Sequence, residues 1–75
     1  MSRPVKRSLT LHQHRTSVTL EDEFWQAFRE IAEAQHKGIN QLATEIDDAR
    51  DPEIGLATAI RLSVLAHYRA ASKEP

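Results

Sequence analysis

The stretch Arg15-Thr16-Ser17-Val18-Thr19-Leu20-Glu21-Asp22-Glu23-Phe24-Trp25 decides the fold. Its first six residues alternate, with Thr16, Val18 and Leu20 on one side and Arg15, Ser17 and Thr19 on the other. Period two with β-branched residues predicts a strand over 15–20 with one buried and one exposed face. At Glu21 the alternation stops. Glu21, Asp22 and Glu23 place three acids where they favour the positive end of a helix dipole. Phe24, Phe28, Ile31 and Ala32 then follow helical spacing, and His36-Lys37-Gly38 reads as a stop, so a helix is predicted over 21–37.

Toward the N-terminus, Ser8-Leu9-Thr10-Leu11 is a second β-prone run, joined to the first through His12-Gln13-His14. Residues 1–7 read as a flexible basic arm. Toward the C-terminus, Asn40 is a candidate N-cap for a helix over 40–50 with Ile39, Leu42, Ala43 and Ile46 as its apolar stripe. Asp51-Pro52-Glu53 carries the signals that open a helix, here over 52–70. Leu56, Ala57, Ile60, Val64, Leu65 and Tyr68 give that helix a wide apolar face, as expected where burial occurs on more than one side. Residues 72–75 are expected to fray.

With 75 residues and no cysteine, the chain is one domain that gains no stability from disulfides or thiolate metal sites, which leaves oligomerisation or a well-packed helical core. No apolar run reaches membrane-span length, and Met1 to Arg7 leads into no apolar stretch like that of a signal peptide; a cytoplasmic protein is expected. Net charge is -1, yet the first twenty residues hold Arg3, Lys6, Arg7 and Arg15 and no acid. A basic N-terminal segment therefore precedes an acidic body, and in a dimer the positive patch doubles.

A lone strand or hairpin is not stable, and an unpaired strand edge invites another chain. The economical partner for 15–20 is a second copy of itself. Two antiparallel copies form a ribbon with Thr16, Val18 and Leu20 toward the helices and Arg15, Ser17 and Thr19 outward. A two-stranded ribbon fits the DNA major groove, where Arg15 can donate two hydrogen bonds to guanine and the Ser17 and Thr19 hydroxyls suit several base edges. Lys6, Arg7 and Arg15 neutralise phosphates in this reading.

The run from Arg15 to Trp25, with the Gly38-Ile39-Asn40 turn at its usual distance, resembles the ribbon-helix-helix superfamily of bacterial repressors, the Arc and methionine-repressor group of β-ribbon DNA readers. More narrowly, Lys6-Arg7-Ser8, His14-Arg15-Thr16-Ser17, Glu45-Ile46-Asp47 and Ala59-Ile60-Arg61 are similar to a short stand-alone bacterial variant of that fold. The resemblance implies a mainly α protein with a short β-ribbon (α+β), an intertwined homodimer with an intermolecular antiparallel sheet. It implies base contacts from Arg15, Ser17 and Thr19. A phosphate would be held by the N–H groups of Ile39 and Asn40 at the start of the second family helix. Leu56-Ala57-Thr58-Ala59-Ile60-Arg61 also resembles that helix start, which would move the phosphate site to about Leu56; the shorter spacing favours Asn40. Val18, Leu20, Phe24, Phe28, Ile46, Ile60 and Val64 are the expected dimer core.

The function expected is sequence-specific binding of double-stranded DNA by a transcriptional regulator. The alternative is a protein-interaction or dimerisation module, such as a toxin-neutralising antitoxin, whose acidic body from Glu45 to Glu53 would meet a basic partner. No nucleophile stands beside a base and no glycine-rich phosphate loop occurs, so no enzyme and no cofactor are expected. His12 and His14 lack an evident third ligand and read as polar turn residues; no metal site is expected. Glu45, Asp47, Asp48 and Asp51 read as a solvated helix end.

Overall fold

The computed structural model describes residues 3–72. Two strands, β1 (Val5–Leu11) and β2 (His14–Leu20), precede three helices, α1 (Asp22–Ala34), α2 (Ile39–Ala49) and α3 (Leu56–Ser72). The strands form an antiparallel hairpin within one chain, from Val5 opposite Leu20 to Leu11 opposite His14. The loop is only His12-Gln13, both at positive φ (51° and 68°). Two successive left-handed residues make the kind of turn whose twist matches a hairpin. Here neither residue is the Gly or Asn that usually takes such a place.

Strand parity sorts the hairpin into two faces. Leu9, Leu11, Val18 and Leu20 point into the core, against Phe28, Ile31 and Ala32 of α1, Leu42 and Ala43 of α2, and Ile60 and Val64 of α3. Lys6, Ser8, Thr10, Arg15, Ser17 and Thr19 all lie on the opposite, exposed face. Thr16 shares the inward parity of Val18 but is exposed, while Leu9 opposite it and Leu11 nearer the tip are buried.

Local chemistry moved several boundaries from their predicted places. β1 starts at Val5, so residues 5–7 belong to the sheet and not to an arm. Helix α1 stops at Ala34. There the N–H groups of His36 and Lys37 turn back to the carbonyls of Glu33 (3.0 Å) and Ala32 (2.9 Å), with His36 at φ 57°. This pairing is a Schellman ending with histidine where glycine is usual. Gly38 is instead the N-cap of α2, in extended conformation, and its carbonyl accepts the Leu42 N–H. Asn40 is thus inside the helix and is not its cap.

Asp51-Pro52 opens a turn and no helix. The Ile54 N–H bonds the Asp51 carbonyl (3.0 Å) and the Glu53 N–H bonds the Asp51 carboxylate (2.8 Å). Arg50 ties this turn down, through Asp47 (2.8 Å) and the Ile54 carbonyl (2.7 Å). Helix α3 begins only after Gly55, whose carbonyl takes the Ala59 N–H. The expected frayed tail beyond Ser72 lies outside the described residues.

Of the residues expected at a dimer core, Val18, Leu20, Phe28, Ile60 and Val64 are buried within the single chain, and Phe24 and Ile46 pack against them partly buried. What one chain leaves uncovered is different: Leu62, Leu65 and Tyr68 on α3 and Val5 on β1.

Candidate nucleic-acid interface

A two-residue hairpin loop closes on a hydrogen-bonded pair, here Leu11 and His14, and such pairs alternate with non-bonded ones along an antiparallel ladder. The backbone groups of Thr10, Ser8 and Lys6, and of Arg15, Ser17 and Thr19, therefore point away from the partner strand, toward the outer edges of the hairpin. Two side chains confirm that direction. The Thr10 N–H donates to Asn40 Oδ1 (2.9 Å), and the Thr19 carbonyl accepts from Arg61 Nη2 (3.2 Å).

The two edges differ in their cover. Helix α2 packs against β1, and Asn40 in its first turn takes the outward N–H of Thr10. On the β2 edge, Arg61 of α3 takes the Thr19 carbonyl. Along Arg15 and Ser17, both exposed, the outward backbone groups of this edge have no hydrogen-bond partner among the described residues, although Ser17 borders a groove lined by Leu56.

The outward face presents three cross-strand pairs: Lys6 with Thr19, Ser8 with Ser17, and Thr10 with Arg15. It has two cations, four hydroxyls and no acid. Lys6, Ser8, Arg15, Thr16 and Ser17 line one shallow depression on it. Neither Lys6 nor Arg15 makes an ion pair among the described residues, whereas Arg7, Lys37, Arg50 and Arg61 each do. Both cations of the outward face are thus left without an acidic partner.

Arg7 sits on the other side. Its guanidinium lies 5.4 Å from the Trp25 ring and 3.4 Å from Asp22, with its Nε buried and without a partner. Ile39 and Asn40 lie in the first turn of α2, where N–H groups have no intrahelical acceptor. The Ile39 side chain packs against the core, and the Asn40 side chain is spent on Thr10. Leu56, at the start of α3, lines a groove with His12, His14, Thr16 and Ser17. Both helix starts are therefore close to the tip half of the hairpin, one beside each strand.

Sequence reasoning missed Ser8, Thr10 and Arg61. Ser8 and Thr10 share the parity of Lys6, but their face was fixed only by the two-residue loop and its register. Arg61 carries no local signal, since its partners are forty residues away. It bonds Glu21 Oε1 through Nε (3.0 Å) and Nη2 (2.8 Å) and lies 5.8 Å from the Phe24 ring. Glu21's own backbone N–H, then Arg61, hold its carboxyl below the usual range. At the hairpin tip, His12 Nε2 meets Asp48 Oδ1 at 2.8 Å, and that bond raises the imidazole pKa.

Among the described residues no group of three or more His, Cys, Asp or Glu side chains is placed to hold a metal ion. No helix among them is long and apolar enough to cross a membrane. No curated protein and no solved structure matches the chain. The family model of the ribbon-helix-helix domain, in contrast, matches residues 4–68, from the start of β1 almost to the end of α3. The hairpin, α1, α2 and most of α3 fall inside that match, and the chain belongs to the ribbon-helix-helix domain family.

Proposed function

We propose that the protein is a transcriptional regulator that binds double-stranded DNA as a homodimer, with the β2 strands of two protomers paired into an antiparallel ribbon. Domains of this family are typically DNA-binding transcription regulators or antitoxins. In this reading Arg15, Ser17 and Thr19 of both protomers enter the major groove and read base edges. Arg15 donates to guanine, and the two hydroxyls adapt to neighbouring bases. Lys6 and the free N–H groups of Ile39 and Asn40 meet phosphates. Arg7, turned to Trp25, supports the hairpin from below.

The observation that carries the proposal is the open β2 edge beside an exposed, acid-free outward face. A second feature supports the partner as another copy. Arg61, Leu65 and Tyr68 recur at helical spacing on one side of α3. Arg61 reaches the β2 edge, so the open strand and the exposed Leu65 and Tyr68 look the same way. Closing both in one interface satisfies the strand and buries the apolar row, as expected of a chain too small to make a large core alone.

The test is selection of bound fragments from a random duplex-DNA pool, with the parent beside an Arg15→Ala, Thr19→Ala variant. Enrichment of a palindrome by the parent alone is expected. If the parent enriches nothing at low salt, the regulator reading fails. The same exposed α3 row then favours the second reading, an interaction module that takes another protein's helix.

A further inference from the structure

We propose that the outward face of β1, Lys6, Ser8 and Thr10, forms a second row of DNA contacts, made to the sugar-phosphate backbone at the rims of the groove. The inference rests on the dimeric ribbon proposed above and assigns it an outer pair of strands.

The geometry follows from the edges. Asn40 takes the outward Thr10 N–H and α2 packs against β1, which favours pairing of a second copy along β2. Two hairpins joined through β2 make a four-stranded sheet in the order β1, β2, then the partner's β2 and β1. Adjacent strands lie about 4.8 Å apart, so the outer two axes are separated by about 14 Å. The major groove is about 12 Å wide. Two strands fit within it and four do not. With β2 of each protomer at the floor, each β1 rides over a groove wall, where the phosphates are.

The side chains of β1 suit that position. Lys6 is an unpaired cation among the described residues, and Ser8 and Thr10 carry hydroxyl donors, a combination typical of backbone contacts. All three are exposed and none is acidic or bulky. Ser8 lies directly opposite Ser17, so the row stays low between the strands and lets the duplex approach. The Asn40 bond to the Thr10 N–H fixes the height of the row against α2. The division of labour is then by strand: β2 specifies sequence, and β1 contributes affinity without sequence preference.

The experiment measures duplex affinity against salt, and the selected sequence, for the full chain and three variants: Lys6→Gln, Lys6→Arg, and the double change Ser8→Ala, Thr10→Val. All positions are exposed, and circular dichroism and melting check the fold of each variant. Lys6→Gln is expected to lower the slope of log affinity against log salt by about 1.8 per dimer, and Lys6→Arg to keep it. Loss of the hydroxyls is expected to weaken selected and unselected duplexes alike, by about ten-fold. The selected sequence stays the same throughout.

A β1 variant that changes the selected bases would overturn the inference, because β1 then reads sequence. Unchanged affinity and salt slope would overturn it too, because β1 then stands clear of DNA. If the parent selects no sequence yet Lys6→Gln still lowers the slope, the β1 row stands and base reading by β2 falls. If the parent binds no duplex at low salt, both fall together.

Discussion

Asn40 Oδ1 accepts the backbone N–H of Thr10 at 2.9 Å, across thirty positions of sequence, and so occupies part of one edge of the hairpin with a side chain from α2. The edge left for a second protomer is β2, the strand whose outward residues suit base recognition. In the proposed dimer, that polar contact favours β2 as the strand at the centre of the sheet.

Asn40→Ala removes that acceptor and leaves a residue well suited to the helix. A loss of about 1 kcal/mol in urea unfolding is expected, with faster hydrogen exchange at the Thr10 amide. An unchanged exchange rate at Thr10 would show that the edge is not held in this way.

Arg7 and Lys6 are sequence neighbours on opposite faces of β1. Arg7→Met keeps the packing on Trp25 and removes a buried, unpartnered Nε–H. Its stability is expected to stay within about 1 kcal/mol of the parent, since loss of a weak ion pair is offset by relief of an unsatisfied donor. Its salt dependence of DNA binding is expected to match the parent's, unlike that of Lys6→Gln. A fall in slope for Arg7→Met would place the guanidinium on DNA.

Two substitutions should stabilise the chain. Gln13 and His36 hold positive φ (68° and 57°), a conformation that costs an L-residue roughly 1–2 kcal/mol. Gln13→Gly and His36→Gly relieve it, so each is expected to raise stability by about 0.5–1 kcal/mol after the entropy cost of glycine. A drop in melting temperature for both would contradict the left-handed assignment.

The pairing of His12 with Asp48 predicts a pH signature. The bond raises the His12 pKa in the folded state, so its stabilising effect is fully present below the ordinary histidine value of 6.5 and is lost as pH rises through the folded value. Glu21 acts in the opposite sense: its lowered pKa stabilises above the ordinary carboxylate range and the effect is lost on acidification. An NMR titration should find His12 above 6.5 in the parent and near it in Asp48→Asn. Equal values in both would remove the pairing.

Much of the architecture was legible because it is periodic. The alternation from Thr16 to Leu20 marks β2, and the spacing of Phe24, Phe28 and Ile31 marks α1, since both patterns record burial on one face. What was hidden depends on distant partners. The register of β1 rests on a two-residue loop of His12 and Gln13, which carries no glycine signal and is tied to α2 through the His12–Asp48 bond. Pro52 gave a strong helix-start signal, but Arg50 clamps that segment into a turn through Asp47 and Ile54. Asn40 read as a cap because its carboxamide is short and polar; that same group is used thirty residues away. The place of Arg61 at the end of β2 had no local trace at all.

The β2 edge can be blocked without touching the hairpin. The Ser17 N–H points outward, so Ser17→Pro removes a donor that only a second protomer would use, and proline is tolerated at such an edge. Sedimentation equilibrium of the parent and of Ser17→Pro, across micromolar concentrations, tests the central claim most directly. The account predicts twice the chain mass for the parent and, for the variant, a shift toward monomer with loss of palindrome binding. A parent that remains a folded monomer, or a Ser17→Pro variant that dimerises as tightly as the parent, would contradict it.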